Sequence, residues 1–504
     1  MHPRTAAKYP WWTRLLSGIP LLTPLIVAIG IAYVQSRVSP KLLLLLVGAI
    51  FGFLVCLVLG GRSIMSIVGA VFVVGYFQGL IELFIELPID LGVLKYALLL
   101  GGGVLWAARM MISGRSKVSR RMFGFILLSV PFYSLFVYML VRSLATGDID
   151  RDLTIEMISL WAVLNIPLVP LVYSDLKTLS TVYRFLQTLV WLGMFAAVAG
   201  IAQYLMGPDR LQALGIDVHS MKFALLSPGE ISELRAFSVF PTHYEFASFM
   251  VVSILAKLVL QLRARRWPAL SSLMTFLLLL VGLLVTLNVT LWLTLMSTVG
   301  VMMLGWWGKG VRILRYKKAW KLILVVLILG LLAMVAIPPF RDRILGIFTF
   351  KSGAVGTAGK SLYYRTVILE NGLNLIREFP GGLGPSIHSV ILRLREQRGW
   401  FLVTSDAFFM WLALVGGLPL FFCYLSLLVS PLWVSFRRRS AIPAPERPLF
   451  WALWAWLFIG VVLGGVSNSA LLNGTPTNLL VWVSIGVLLK MTDWRHAHSE
   501  AVQM

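Results

Sequence analysis

The sequence predicts an all-α polytopic membrane protein, and three observations predict it. Of 504 residues, 59% are hydrophobic and 13% charged, where a soluble chain carries roughly a quarter charged residues. Mean hydropathy is +0.87. About fourteen apolar stretches near spanning length recur along the chain, and helices are the open-ended structures that satisfy their own backbone in hydrocarbon. The net charge of +23 then points to anionic headgroups, phosphorylated lipids or acidic glycans rather than nucleic acid.

Taken in order, the expected spans lie near 15–34, 42–60, 64–81, 91–108, 122–141, 157–173, 185–206, 244–262, 269–287, 289–307, 322–340, 407–432, 449–467 and 475–491. The first follows a basic stretch, Met1 to Arg14, with no small-residue cleavage site, and reads as an uncleaved span. The ninth and tenth are separated only by Asn288. Cys56 and Cys423 both fall in apolar runs, so neither a disulfide framework nor a cysteine metal site is expected.

Charge sets the orientation. Arg109 to Arg121, Arg263 to Arg266, Lys309 to Lys321 and Arg437 to Arg439 form four basic loops. Fourteen spans and a cytoplasmic N-terminus place all four inside, as the positive-inside rule asks. Acidic loops, with Glu82, Glu86 and Asp90 and then Asp148, Asp150, Asp152 and Glu156, alternate to the outside. The expected organisation is spans 1–11 within residues 1–340, with an outer loop near 207–243. A large outer loop over 341–406 follows, then the last three spans and a cytoplasmic tail over 407–504.

The 341–406 loop carries nine Lys or Arg, Arg365 and Arg377 among them. Long loops are exempt from the orientation rule, so this charge has another use. "KSGAVGTAGK" (351–360) is Gly-rich but lacks the ending and strand context of a nucleotide loop. Ser361 can cap a helix running to about Glu378, with Leu362, Val367, Leu369, Leu373 and Ile376 mainly on one side; Pro380, Gly381 and Gly382 stop it. A second short helix runs from Ser386 to about Arg398 and includes His388. Both read as helices at the outer interface or folded over the spans. Their arginines either touch lipid phosphates or converge on a pyrophosphate, whose oxygens a guanidinium binds bidentately. In the earlier loop, "ISELRAFSVFPTHYEFASFM" (231–250) sets Arg235 just before a span that opens with His243 and Glu245. Those last two read as helix-start capping and interfacial placement, or as substrate contacts.

Two of these stretches carry a resemblance. "RAFSVFP" (235–241) is similar to an element found ahead of a span in the bacterial O-antigen ligase and polymerase superfamily, which includes exopolysaccharide polymerases. Arg365, "LNLIREFPGGLG" and "TSDAFFMWLALVGGLPLFF" (404–422) resemble that family's large outer loop and following span. The motifs cover about sixty residues, and the many-span layout extends the likeness over most of the chain. Ligases place a histidine where this chain has Asp406, an aspartate found in some polymerases; they also carry an arginine where "TLNVTLWLTLMS" (286–297) has none.

The resemblance implies a GT-C-like membrane glycosyltransferase architecture in a bacterial inner membrane, with a periplasmic active site. It implies metal-independent transfer, without a cofactor, of a glycan from undecaprenyl pyrophosphate to a sugar hydroxyl of another lipid-linked repeat. In that chemistry Asp406 is the base or acceptor-orienting residue. Arg235 and Arg365 clamp the pyrophosphate, and Arg377 and His388 are supporting candidates. The implied partners are undecaprenyl-pyrophosphate-linked glycans, membrane lipids and a chain-length-regulating membrane protein. An O-antigen ligase transferring the glycan to lipid A-core is the alternative within the enzyme class. From another class stands a lipid-linked oligosaccharide flippase. A flippase needs cations lining its passage, whereas here all Lys and Arg but Lys95, Lys257 and Lys490 can be placed in loops or at span ends, and those three lie near a boundary.

Overall fold

A computed structural model describes residues 120–146, 165–214, 234–240, 242–264, 270–307, 369–384, 408–466 and 477–503, together with Gly69, Phe72, Tyr76, Ile328, Arg341 and Val367. The chain divides into two compact units, 1–75 with 84–117 and 76–83 with 118–504. All of these residues except Gly69 and Phe72 belong to the second unit. The expected spans at 15–34, 42–60, 91–108 and 322–340 fall largely or wholly outside the described residues, as do the Gly-rich 351–360 segment and the 386–398 helix.

The regular structure among the described residues is helical. In chain order come α1 (Arg120–Thr146), α2 (Leu168–Asp175), α3 (Leu179–Ala213), α4 (His243–Ala264), α5 (Leu270–Leu284), α6 (Val289–Trp307), α7 (Phe408–Arg437), α8 (Arg447–Ala455) and α9 (Thr477–Gln503). Among the described residues, five segments are long and apolar enough to cross a membrane: Met122–Met139, α3, α4, α7 and Ala444–Leu463. α5 and α6 are shorter apolar helices. They meet at a turn over 285–288, where Asn288 Oδ1 accepts the Leu291 N–H at 3.2 Å, so the lone asparagine of that apolar run caps α6.

α3, α4 and α5 pack through small residues. A Cβ on Gly193 would stand 2.5 Å from Ser253 Oγ, one on Gly200 2.5 Å from the Phe246 ring, and one on Gly282 2.7 Å from Ala197 Cβ. In lipid, where burial of apolar surface gives little drive between helices, such close backbone approach supplies the dispersion contacts that hold them. At the end where α3 begins, Arg263 lies over the Tyr183 ring at 3.5 Å and the Tyr183 hydroxyl donates to Glu446. The start of α3, the end of α4 and the entry to α8 therefore share one basic end, next to Arg437, Arg438 and Arg439.

Two helices contain breaks. α3 has Gly207 at φ 74°, ψ 173°, followed by Pro208. α7, read from sequence as one span over 407–432, has Gly417 at φ 76°, ψ 173°, ahead of Leu418 and Pro419. Proline cannot continue a helix but opens one readily, so α7 is a short helix, 408–416, and a longer one, 418–437. Phe408 lies 5.3 Å from Tyr424 and Phe409 5.9 Å from Phe421 between ring centroids. The short piece thus folds back along the long one.

Candidate functional site

The segment ahead of α4 is irregular backbone held inside the helix bundle. Leu234 to Phe240 are all buried, although the sequence places them in a loop at the membrane boundary. Non-helical backbone at such a place needs its hydrogen bonds met by protein, and α3 meets them. Gln203 Oε1 accepts from the N–H of Ser238 at 2.6 Å and of Phe237 at 3.3 Å, while Gln203 Nε2 donates to Ser238 O at 2.7 Å. The Ser238 hydroxyl donates to Ala196 O at 2.7 Å. Ala236 N–H donates to Val285 O at 3.1 Å, tying the segment to the α5–α6 turn. Tyr76 wedges against Phe240 and Phe249 in edge-on contacts and donates to Leu192 O at 2.6 Å.

Backbone strain gathers at the same place. Among the described residues, the non-glycine residues with positive φ are Ser238 at 57° and Leu287 at 51°. One lies in the Arg235 segment and the other in the turn bonded to it. Such conformations persist where the surroundings over-determine them, and they concentrate at functional sites.

This frame holds Arg235. It is 8% exposed and His243 is 2% exposed. Arg235 Nη1 lies 3.1 Å from His243 Nε2. A guanidinium only donates, so it donates to Nε2, which puts the imidazole proton on Nδ1 and leaves the ring neutral. The tautomer follows from the pairing. His243 opens α4, where Thr242 Oγ1 accepts the Glu245 N–H at 3.3 Å. Thr242 and Glu245 stand in the Thr-x-x-Glu spacing of a helix start. Glu245 is accordingly a first-turn acid, and the capping side chain is that of Thr242. His243 packs against the Tyr244 ring at 3.9 Å. The site therefore sets a buried guanidinium and a half-buried carboxylate at one helix N-terminus.

A second element comes from the late loop. The 369–378 helix ends at the predicted point. Gly372, Leu375 and Ile376 are buried, whereas Leu369 and Leu373 are 42% and 45% exposed. Gly372 selects that face, since a Cβ there would stand 2.1 Å from Met410 Sδ. The Pro380–Gly384 turn is then latched to the break in α7. Leu383 N–H donates to Leu414 O at 2.7 Å, Gly384 N–H to Val415 O at 2.9 Å, and Leu418 N–H to Pro380 O at 2.9 Å. Both partners need glycine. Gly382 has φ 84° and a Cβ there would meet Gly417 N at 2.4 Å; one on Gly417 would meet Gly381 C at 2.5 Å.

Of the sequence-predicted residues, Arg235 and His243 are brought together, with Glu245 half-buried two positions on. Arg377 is exposed near the end of the 369–378 helix. Asp406, Arg365 and His388 lie outside the described residues. Sequence reasoning missed Gln203 and Ser238, the pair that shapes the Arg235 segment. A primary amide inside the apolar run of 185–206 was the available signal. No known family model and no curated protein matches this chain.

Proposed function

We propose that the chain is a membrane glycosyltransferase that polymerises undecaprenyl-pyrophosphate-linked repeat units into a surface polysaccharide, O-antigen or exopolysaccharide, on the periplasmic face of a bacterial inner membrane. Some fourteen spans and a GT-C-like arrangement belong to this reading. The observation that carries it is the buried Arg235, held beside His243 in a braced and strained segment. A cation buried at such expense among helices marks a candidate functional site. The resemblance of "RAFSVFP" and the 404–422 stretch to the polymerase and ligase superfamily supplies the chemistry.

In that chemistry an acceptor hydroxyl attacks the anomeric carbon of the donor sugar. The new C–O bond forms as the bond to the pyrophosphate oxygen breaks, and the hydroxyl proton passes to Asp406. Undecaprenyl pyrophosphate leaves carrying the negative charge, which Arg235 and Arg365 stabilise, with Arg377 and His388 assisting. The donor is already activated, so the step asks for no nucleotide and no metal.

Arg235→Lys is the discriminating variant, because an ammonium cannot reproduce the guanidinium fork. In cells lacking the native chain, Arg235→Lys and Asp406→Ala are expected to leave single repeats on lipid and little long polymer. Wild-type polymer yield and length from both variants would sink the assignment. A deletion that accumulates long lipid-linked polymer would instead indicate the ligase.

The buried position of Arg235 also favours a second reading, a lipid-linked oligosaccharide flippase, which requires cations within the membrane. Proteoliposomes separate the two: lipid translocation without polymer growth is the flippase result.

A further inference from the structure

At the basic end, far along α3 from the Arg235 segment, α3, α4, α8 and α9 leave a narrow, part-open apolar crevice. Val182, Leu189, Val259, Leu449, Trp456 and Val487 are among its lining residues, and Ser484 supplies its hydroxyl. Of the helices around it, α3, α4 and the segment that carries α8 are long and apolar enough to cross a membrane, and a crevice between such helices suits a hydrocarbon chain. Trp456 also begins a π-helical stretch, Trp456–Leu463, that continues α8. Widened turns of this kind are rare and collect at functional positions.

The rim of the crevice is charged. Tyr183 is next to lining residue Val182, Arg263 is one turn beyond Val259, and Glu446 is three residues before Leu449. These three side chains are joined: Arg263 stacks on Tyr183, whose hydroxyl donates to Glu446. Arg263 is exposed on its outer side, and half-buried Arg447 adjoins Glu446, with its Nε donating to Ile442 O at 3.4 Å. Arg184, exposed, adds a third guanidinium to the same end. An apolar slot beneath a cationic rim matches the two parts of one molecule class, an apolar chain below an anionic phosphate.

We infer that this crevice is a binding site for an anionic phospholipid of the bilayer, one acyl chain in the slot and its phosphate on Arg263 and Arg447. The site is separate from the glycosyl-transfer reading and does not rest on it. The lipid fills the gap between α3, α4, α8 and α9 and clamps the basic end of the bundle.

The test uses the full-length chain in nanodiscs of phosphatidylglycerol and phosphatidylcholine in equal parts, with the retained lipid counted by native mass spectrometry after detergent release. Phosphatidylglycerol is expected to be retained preferentially, at one molecule per chain. Arg263→Gln, on an exposed residue, is expected to lower that preference about fivefold, the effect of roughly one interfacial cation on an anionic headgroup. Ala256→Phe fills the slot and is expected to abolish retention; Leu205→Phe, at an exposed position elsewhere on α3, controls for the added ring. Equal retention of the two lipids would overturn the inference. So would displacement of phosphatidylglycerol by an equimolar polyprenyl phosphate, which would make the slot an isoprenoid site.

Discussion

Gln203 carries more of the Arg235 site than any charged residue does. Its one amide satisfies three backbone groups of Phe237 and Ser238, both of them buried residues. Gln203→Leu leaves those groups orphaned at about 1–3 kcal/mol each. The expected result is loss of polymer in cells while the protein remains in the membrane, with a melting temperature in detergent several degrees lower. Unchanged activity would mean that the Arg235 segment is held by something else. Asn288 serves a more local end. Asn288→Ala removes the cap of α6 and is expected to cost on the order of 1 kcal/mol by thermal unfolding in detergent, with polymer length preserved.

At the scale of elements, the latch between the Pro380–Gly384 turn and the broken α7 is the feature on which the late loop depends. Three backbone hydrogen bonds span it, and both glycines take a backbone conformation that a side chain disfavours. Gly382→Ala adds roughly 1–2 kcal/mol of left-handed strain and a clash with α7. Limited proteolysis of membranes is expected to cut that variant near the 380s faster than wild type, and its polymer yield is expected to fall. The helix interface of α3 with α4 is equally tight. Gly200→Leu drives a side chain into Phe246, and overpacking of this kind costs about 1–3 kcal/mol or more. Its expected signature is reduced amounts of folded protein in the membrane.

At the scale of the whole molecule, the bundle has a basic end and an end bearing Arg235. Single cysteines placed at Ala264 and at Asp209, in a chain whose native Cys56 and Cys423 are replaced by serine, test the orientation. Ala264 is expected to react with a membrane-impermeant maleimide only after the cells are opened, and Asp209 in intact spheroplasts. The reverse pattern would place the Arg235 segment in the cytoplasm and remove the periplasmic reading. The native thiols are dispensable in this design because Cys423 is a free cysteine in α7.

What the sequence determined by itself is the set of apolar runs, because hydrocarbon solvent demands long helices and the count of charges is local. The ends of α4 and of the 369–378 helix, and the separator at Asn288, were legible for the same reason: caps and breakers act within one turn. Only tertiary structure decided the rest. Arg235 reads as a boundary residue in the sequence, and its burial follows from bonds to α3 and to the α5–α6 turn, far along the chain. The Gly-Gly of 416–417 reads as the middle of a span, and its break follows from a turn some thirty residues earlier that takes over its backbone hydrogen bonds. The side of the 369–378 helix that packs on α7 was not legible, because Gly372, a residue without apolar weight, is the one that lets Met410 in. Pattern reports the solvent a segment prefers; which backbone groups it must satisfy is set by neighbours that meet only in the fold.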